Sequence, residues 1–238
     1  MNSFGKIFRT TIFGESHGKS VGINIDGCPP GIDFSEEDMS LDISRRKSGG
    51  KGTTPRREAD KPNIISGVFN GKTTGAPITI VFDNQNIRSK DYSFVKDIPR
   101  PGHADFTAEK KYKGFQDFRG GGHFSGRLTL AIVAAGALAK KIISPMTPVA
   151  EILEVGGYKN IDEGIEYAVK NKDSIGGIVE CKVKNMIIGL GEPFFDSVES
   201  YTYKLTIFFG VRAIFPQHLL STFSIKLCSS RMIKPSCI

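Results

Sequence analysis

Four glycine-flanked segments hold the side chains best suited to chemistry. The first is Gly14-Glu15-Ser16-His17-Gly18-Lys19-Ser20. It looks like a nucleotide phosphate loop, but only three residues separate Gly14 from Gly18-Lys19-Ser20 where that motif needs four, and strand-like alternation rather than a helix follows. His17 is instead expected as an exposed, positioned imidazole in a turn, able to exchange a proton near neutral pH. The second segment gathers Arg45, Arg46, Lys47, Lys51, Arg56 and Arg57 around Gly49, Gly50 and Gly52. Six cations at a helix end and a glycine turn repel one another unless an anion joins them, and arginine forks suit phosphate or carboxylate. The third is Arg100-Pro101-Gly102-His103-Ala104-Asp105, and the fourth runs from Arg119 through Gly120, Gly121, Gly122, His123, Phe124, Ser125 and Gly126 to Arg127. Three glycines before a capping serine give backbone N–H groups access to an anion at a helix N-terminus. Taken singly, His103 or His123 would more often be a hydrogen-bonded structural residue than a catalyst.

Positioning these groups requires strands and helices, and the chain encodes both. Val21, Ile23 and Ile25 alternate with polar or small residues, as do Ile78, Ile80 and Phe82, which predicts two strands. A helix is predicted to open at Ser35, with Asp38 completing a capping box, Glu36 and Glu37 at its positive end, and Phe34 and Met39 at hydrophobic-staple spacing. It should end near Arg45 to Lys47. A second helix should follow Ser125 through Leu130, Ala134 and Leu138 to Ile143, apolar on nearly every face and therefore buried. Further expectations are a helix over 162–170 and strands over 178–183 and 186–190.

Length and composition bound the function classes. The 238 residues allow one large domain or two small ones, and 39% hydrophobic with 24% charged residues describe an ordinary globular chain. No apolar run reaches the roughly 18 to 20 residues that cross a bilayer, and 1–9 lacks a secretory core, so a cytoplasmic protein is expected. Cys28, Cys181, Cys228 and Cys237 form no metal-binding or disulfide pattern, and no metal site is expected. The formal charge is +7, but five of those charges lie in 201–238, which contains no Asp or Glu. The basicity is therefore mostly a property of the tail. No period of 2 or 3.6 is read in that tail, and it is expected to be poorly ordered, with Phe208, Phe209, Phe215 and Phe223 partly exposed.

In order and spacing, these segments resemble the chorismate synthase family. The resemblance rests on GESHGKSVGINIDGCPPGI from Gly14, RRKSGGKGTTPRREAD from Arg45, GVFNGKTTGAPI from Gly67, RSKDYS from Arg88, RPGHADF from Arg100 and FRGGGHFSGRLTLAIVAAGALAKK from Phe118. It implies an α+β fold, a layered β-α-β sandwich, with a family domain over 1–200 that is incomplete at its C-terminus and an atypical basic tail over 201–238. It implies a lyase of the shikimate pathway to aromatic amino acids. That lyase converts 5-enolpyruvylshikimate 3-phosphate to chorismate by 1,4-elimination of phosphate, using reduced FMN without net redox change. NADPH is one candidate reductant of the flavin, and a homotetramer is the implied assembly.

The resemblance assigns His17 to protonating the departing phosphate and His103 to the flavin's side, where an imidazolium would stabilise anionic reduced FMN. It places His123, Phe124, Ser125 and Arg46 at the cofactor, and Ser16, Arg45, Arg46 and Arg127 at the substrate. Two departures accompany it. The family's flavin loop commonly reads Arg-Ser-Ser-Ala-Arg, where this chain has His123-Phe124-Ser125-Gly126-Arg127. The family's C-terminal Arg-Asp motif does not appear, so weak FMN binding and little chorismate formation are expected. The alternative from another class is an inactive homologue that only binds anions or nucleic acid. Against nucleic acid stands the lack of aromatic residues interleaved with the basic cluster, so no nucleic-acid partner is expected.

Overall fold

The computed structural model describes residues 2–47, 58–85, 92, 95, 98–100, 102–173, 175–190, 212–214 and 222–233. The chain divides into two compact units, Met1–Lys47 with Arg56–Ile142, and Ser48–Pro55 with Ile143–Ile238. This division falls at the end of a helix rather than at Ser200. Sheets and helices occur in both units, giving the expected α+β class.

In the first unit the strands are β1 (Ser3–Phe4), β2 (Arg9–Gly14), β3 (Ser20–Asp26), β4 (Asn63–Ser66), the β5 (Val68–Phe69) and β6 (Lys72–Thr73) hairpin, and β7 (Ile78–Asp83). Five of them form an antiparallel sheet in the order β1-β2-β3-β7-β4. The two strands expected from alternation are β3 and β7, neighbours in register with Ile23 opposite Ile80. Their apolar residues Val21, Ile23, Ile25, Ile78, Ile80 and Phe82 point to one face and are fully buried. Against that face lie α1 (Glu37–Arg46) and, after α2 (Asp105–Tyr112), α3 (Thr129–Ile142). Ala131, Ala134 and Ala137 keep α3 slim, while Leu130, Leu138, Met39, Ile43 and Phe34 fill the space between helices and sheet.

Helix α1 begins at Glu37, two residues beyond Ser35. Asp38 still reaches back to accept from the Ser35 N–H at 2.8 Å, the half of the capping box that fixes the entry. Phe34 and Met39 are both buried, at staple spacing. Lys140 and Lys141 on α3 pair with Asp42 and Asp38 on α1. Burial pushes the Asp38 carboxyl up, but Lys141 and Ser35 together outweigh it and hold it below the usual carboxylate range. Ser125 is followed first by a short 3₁₀ turn, Gly126–Leu128, and only then by α3.

The second unit contains β8 (Thr147–Val155), α4 (Ile161–Asn171), β9 (Ile175–Lys184), β10 (Arg212–Ile214) and β11 (Thr222–Ile233), with an antiparallel sheet ordered β10-β11-β9-β8. Asn160 caps α4 by accepting from the Asp162 N–H at 3.2 Å. Helix α4 and strand β9 confirm the expectations over 162–170 and 178–183. The strand expected over 186–190 is absent; Asn185 has φ +56° and Ile187 and Ile188 are exposed, so no apolar face is left to pair. Within the tail expected to be poorly ordered, 212–214 and 222–233 are strands, and β11 pairs with β9 from Thr222 opposite Lys184 onward. The missed signal is local. Phe223, Ile225 and Leu227 alternate with Ser224, Lys226 and Cys228.

Candidate functional site

Strands β2 and β3 are joined by the turn that carries Ser16 and His17. The Gly18 N–H donates to the Glu15 carbonyl at 3.1 Å, closing the turn on itself. Asn84, immediately after β7, clips it from the neighbouring strand. Its amide donates to the Glu15 carbonyl at 3.0 Å and the Gly18 carbonyl at 2.8 Å, and its backbone N–H donates to the Lys19 carbonyl at 3.1 Å.

Over this turn lies the glycine loop. Gly120, Gly121 and Gly122 have φ of +58°, +82° and +52°, and the Ser16 N–H donates to the Gly122 carbonyl at 3.1 Å. A Cβ on residue 120 would sit 2.1 Å from His17 Nδ1, and one on residue 122 would sit 2.0 Å from the Asp117 carbonyl oxygen. Both positions therefore require glycine for space as well as for backbone conformation. The result corrects the expectation of an exposed imidazole. His17 is only 5% exposed and Ser16 2%, and the His17 ring stands edge-on to Tyr92 with centroids 4.8 Å apart. A loop without side chains can lie flat on a histidine, and this one does.

Arg46 closes α1 and Arg127 sits in the 3₁₀ turn before α3, yet both reach Asp60. Arg127 Nη1 donates to Asp60 Oδ1 at 2.8 Å and Arg46 Nη1 to Asp60 Oδ2 at 3.3 Å, and the Asp60 side chain is 5% exposed. Arg127 Nε donates to Asn84 Oδ1, and Arg46 donates to Thr129 Oγ1 and the Gly126 carbonyl at 3.3 and 3.4 Å. Burial pulls the Arg46 guanidinium below its usual range; Asp60 opposes that shift and Arg127 adds to it. Two guanidinium groups on one carboxylate leave one positive charge in excess, the electrostatic condition for holding an anion. Ser125 Oγ accepts from the Arg127 N–H at 3.3 Å and so orients the turn rather than α3 directly. Arg45 is exposed on the last turn of α1. Lys51, Arg56 and Arg57 lie outside the described residues.

On the other side of the glycine loop is a cavity of about 800 Å³, walled by Phe13, Tyr112, Phe115, Phe118, His123 and Phe124. Tyr112 and Phe124 have centroids 5.8 Å apart, and Lys111 Nζ lies within 5.9 Å of both ring centres. His123 is held by both ring nitrogens, Nδ1 2.9 Å from the Gly14 carbonyl and Nε2 3.2 Å from Asn2 Oδ1. Gln116 Oε1, also at this cavity, is buried without a hydrogen-bond partner among the described residues. Two of the lining carboxylates are neutralised locally: Asp105 by Arg100 at 2.8 and 2.9 Å, and Asp117 by Arg119 at 2.8 and 2.7 Å. Burial pushes the Asp105 and Asp117 carboxyls up, but these arginines outweigh it and hold both below the usual carboxylate range. His103 is exposed just before α2, donating its N–H to the Arg100 carbonyl at 3.3 Å, and its charge also favours ionised Asp105.

The structure thus brings Ser16 and His17 under the glycine loop, joins Arg46, Ser125 and Arg127 to a buried polar cluster, and places His123 and Phe124 on the cavity. Arg45 and His103 stand on exposed surface. Sequence reasoning missed Asp60 and Asn84, the two residues that knit the cluster. Asp60 could have been found as the acid that closes a run of cations; Asn84 carries no signal of type or spacing.

A family model described as chorismate synthase matches residues 8–214, past the Ser200 boundary expected from the sequence. The chain is 63% identical over 201 residues to the chorismate synthase of Chitinophaga pinensis, covering 84% of this chain and 60% of that protein. It is 44% identical over 228 residues to the chorismate synthase of Ignicoccus hospitalis, with the same coverage, and 41% identical over 240 residues to that of Methanocaldococcus jannaschii, covering 83% and 63%. The chain therefore spans about 60% of the length of the curated relatives it matches. A crystal structure of chorismate synthase superimposes with a TM-score of 0.67 over 95% of this chain and 85% of the other at 19% identity, which shows a shared fold. On this match and these identities, the chain belongs to the chorismate synthase family.

Proposed function

We propose that this chain converts 5-enolpyruvylshikimate 3-phosphate to chorismate and phosphate, slowly, with reduced FMN. The observation that supports this most is that the His17 turn borders the other two groups: Asn84 ties it to the two-arginine cluster, and Glu15 of the turn and Gly121 of the loop over it line the aromatic cavity. Arg46 and Arg127, with one positive charge in excess, would bind the anionic groups of the substrate, with Arg45 at the rim and Ser16 beneath. His17 would hold the proton that leaves with the phosphate, and burial keeps water from competing for it.

The cavity suits the ring system of a flavin. Its walls are aromatic, and the buried Gln116 Oε1 can accept from a ring N–H. His123, Phe124 and the Ser125 turn would hold that edge, with His103 as an outer cation. Among the described lining residues there is no Lys or Arg, so the phosphate of FMN would rest on groups outside that lining, with Lys111 over the Tyr112 and Phe124 rings the cation at its edge. When bound at these residues, reduced FMN would supply a transient electron and a base for the ring proton. NADPH could reduce it, and the family reading extends to a cytoplasmic homotetramer acting on a small molecule. Among the described residues no helix is long and apolar enough to cross a membrane.

The test is chorismate formation by the full chain under photoreduced FMN. FMN-dependent turnover is expected, falling by roughly 10² to 10⁴ in His17→Ala, the usual share of general acid catalysis. Unchanged turnover in that variant would remove His17 from the reaction. No turnover together with steeply salt-dependent oligonucleotide binding would replace the lyase by an anion binder.

A further inference from the structure

Asn84 lies between the arginine cluster and the His17 turn, and every polar group of its side chain is committed. Both amide hydrogens go to the turn, at the Glu15 and Gly18 carbonyls that bracket Ser16 and His17. The amide oxygen accepts from Arg127 Nε. This fixes the amide's orientation. Reversed, it would set its oxygen against two carbonyl oxygens and its NH₂ against a guanidinium N–H. The side chain is nearly buried, so water does not substitute for these partners. Arg127 in turn shares Asp60 with Arg46, so one line of polar contacts runs from the end of α1 to the His17 turn, entirely within one unit.

We propose that Asn84 is a positioning residue that couples the arginine pair to the His17 turn, so that an anion engaging Arg46 and Arg127 changes the setting of the His17 imidazole. The coupling rests on the reading of those arginines as the anion site. It links the turn of the proton donor to the anion site through one amide. Asn84 itself need touch no substrate.

The experiment titrates the isotope-labelled full chain with inorganic phosphate, following the His17 ring nitrogens and Arg127 Nε by NMR. In the unaltered chain both signals should move with a common dissociation constant. Asn84→Asp keeps an acceptor for Arg127 but replaces the donors that hold the turn. Arg127 should still respond, whereas the His17 response should shrink about threefold or more, the lower end of couplings carried by packed polar networks. An undiminished His17 response overturns the proposal. If phosphate moves neither signal in the unaltered chain, the anion-site reading fails, and the coupling is decided in the free protein. There Arg46→Lys should shift the His17 signals with Asn84 present and leave them in place in the Asn84→Asp background; equal shifts in both backgrounds overturn it. Should Asn84→Asp lose its circular dichroism, Asn84→Ser takes its place in both arms, with the same outcomes.

Discussion

Two regions border the His17 turn and are built on opposite rules. The cluster of Arg46, Asp60, Arg127 and Asn84 is polar and buried, with Arg127 8% exposed and bonded at Nε and both terminal nitrogens. The cavity beside it is aromatic and partly open, with Phe124 41% exposed and a buried amide oxygen unsatisfied among the described residues. In the cluster, each side chain is hydrogen-bonded to another protein group, so its geometry is set by the protein while one positive charge stays in excess. In the cavity, aromatic rings and the side chains of Glu15, Asp105, Glu109 and Asp117 enclose space, and the Gln116 amide oxygen lacks a hydrogen-bond partner among the described residues. A site that must hold charge in a defined place and also admit a large planar group can divide the two tasks in this way, with the His17 turn between them.

The largest effect is expected from breaking the polar side. Asp60→Ala leaves two guanidinium groups facing each other in a buried site, and should destabilise the chain by about 3 to 5 kcal/mol in urea unfolding, the cost of removing one partner of a buried ion pair. A loss below 1 kcal/mol, on the order of a surface pair, would mean that water reaches the cluster and that it is not the rigid half of the site.

Next is the glycine loop that covers the turn. Gly120→Ala places a Cβ 2.1 Å from His17 Nδ1 at φ +58°, which should cost about 2 to 4 kcal/mol from overpacking and left-handed strain combined. Equal stability, with His17 NMR signals in place, would show that the loop does not lie on the histidine.

The smallest effect is expected at the cavity's edge and depends on pH. Arg100 holds the Asp105 carboxyl below the usual range against the upward push of burial, so the folded state favours the ionised form. That contribution is present above the ordinary carboxylate pKa of about 3.9 and is lost as pH falls through the lower folded value. Asp105→Asn should therefore lower Tm at pH 7 while losing less on acidification below about pH 4 than the unaltered chain does. Parallel Tm curves for the two proteins would detach Asp105 from the acid limb, leaving it to Asp38 and Asp117.

The sequence by itself determined the core and the parts list. Period-2 alternation at 21–25 and 78–82 specified two strands with one apolar face, because the pleat sends every second side chain the same way. Small and apolar residues over 129–142 specified a helix that could only be buried. Glycines beside histidines and arginines marked the segments that carry the candidate chemistry, and their order marked the family. Tertiary structure alone decided what those parts do to one another. Whether His17 is open or covered depends on a loop a hundred residues away in sequence, and nothing in its own segment encodes the distance to Gly120. The partners of Arg46 and Arg127 depend on Asp60 and Asn84, which belong to different elements and meet only because the sheet and two helix ends converge. Periodicity is a local property and survives in the sequence; the pairing of charges is a property of three-dimensional distance, and only folding supplies it.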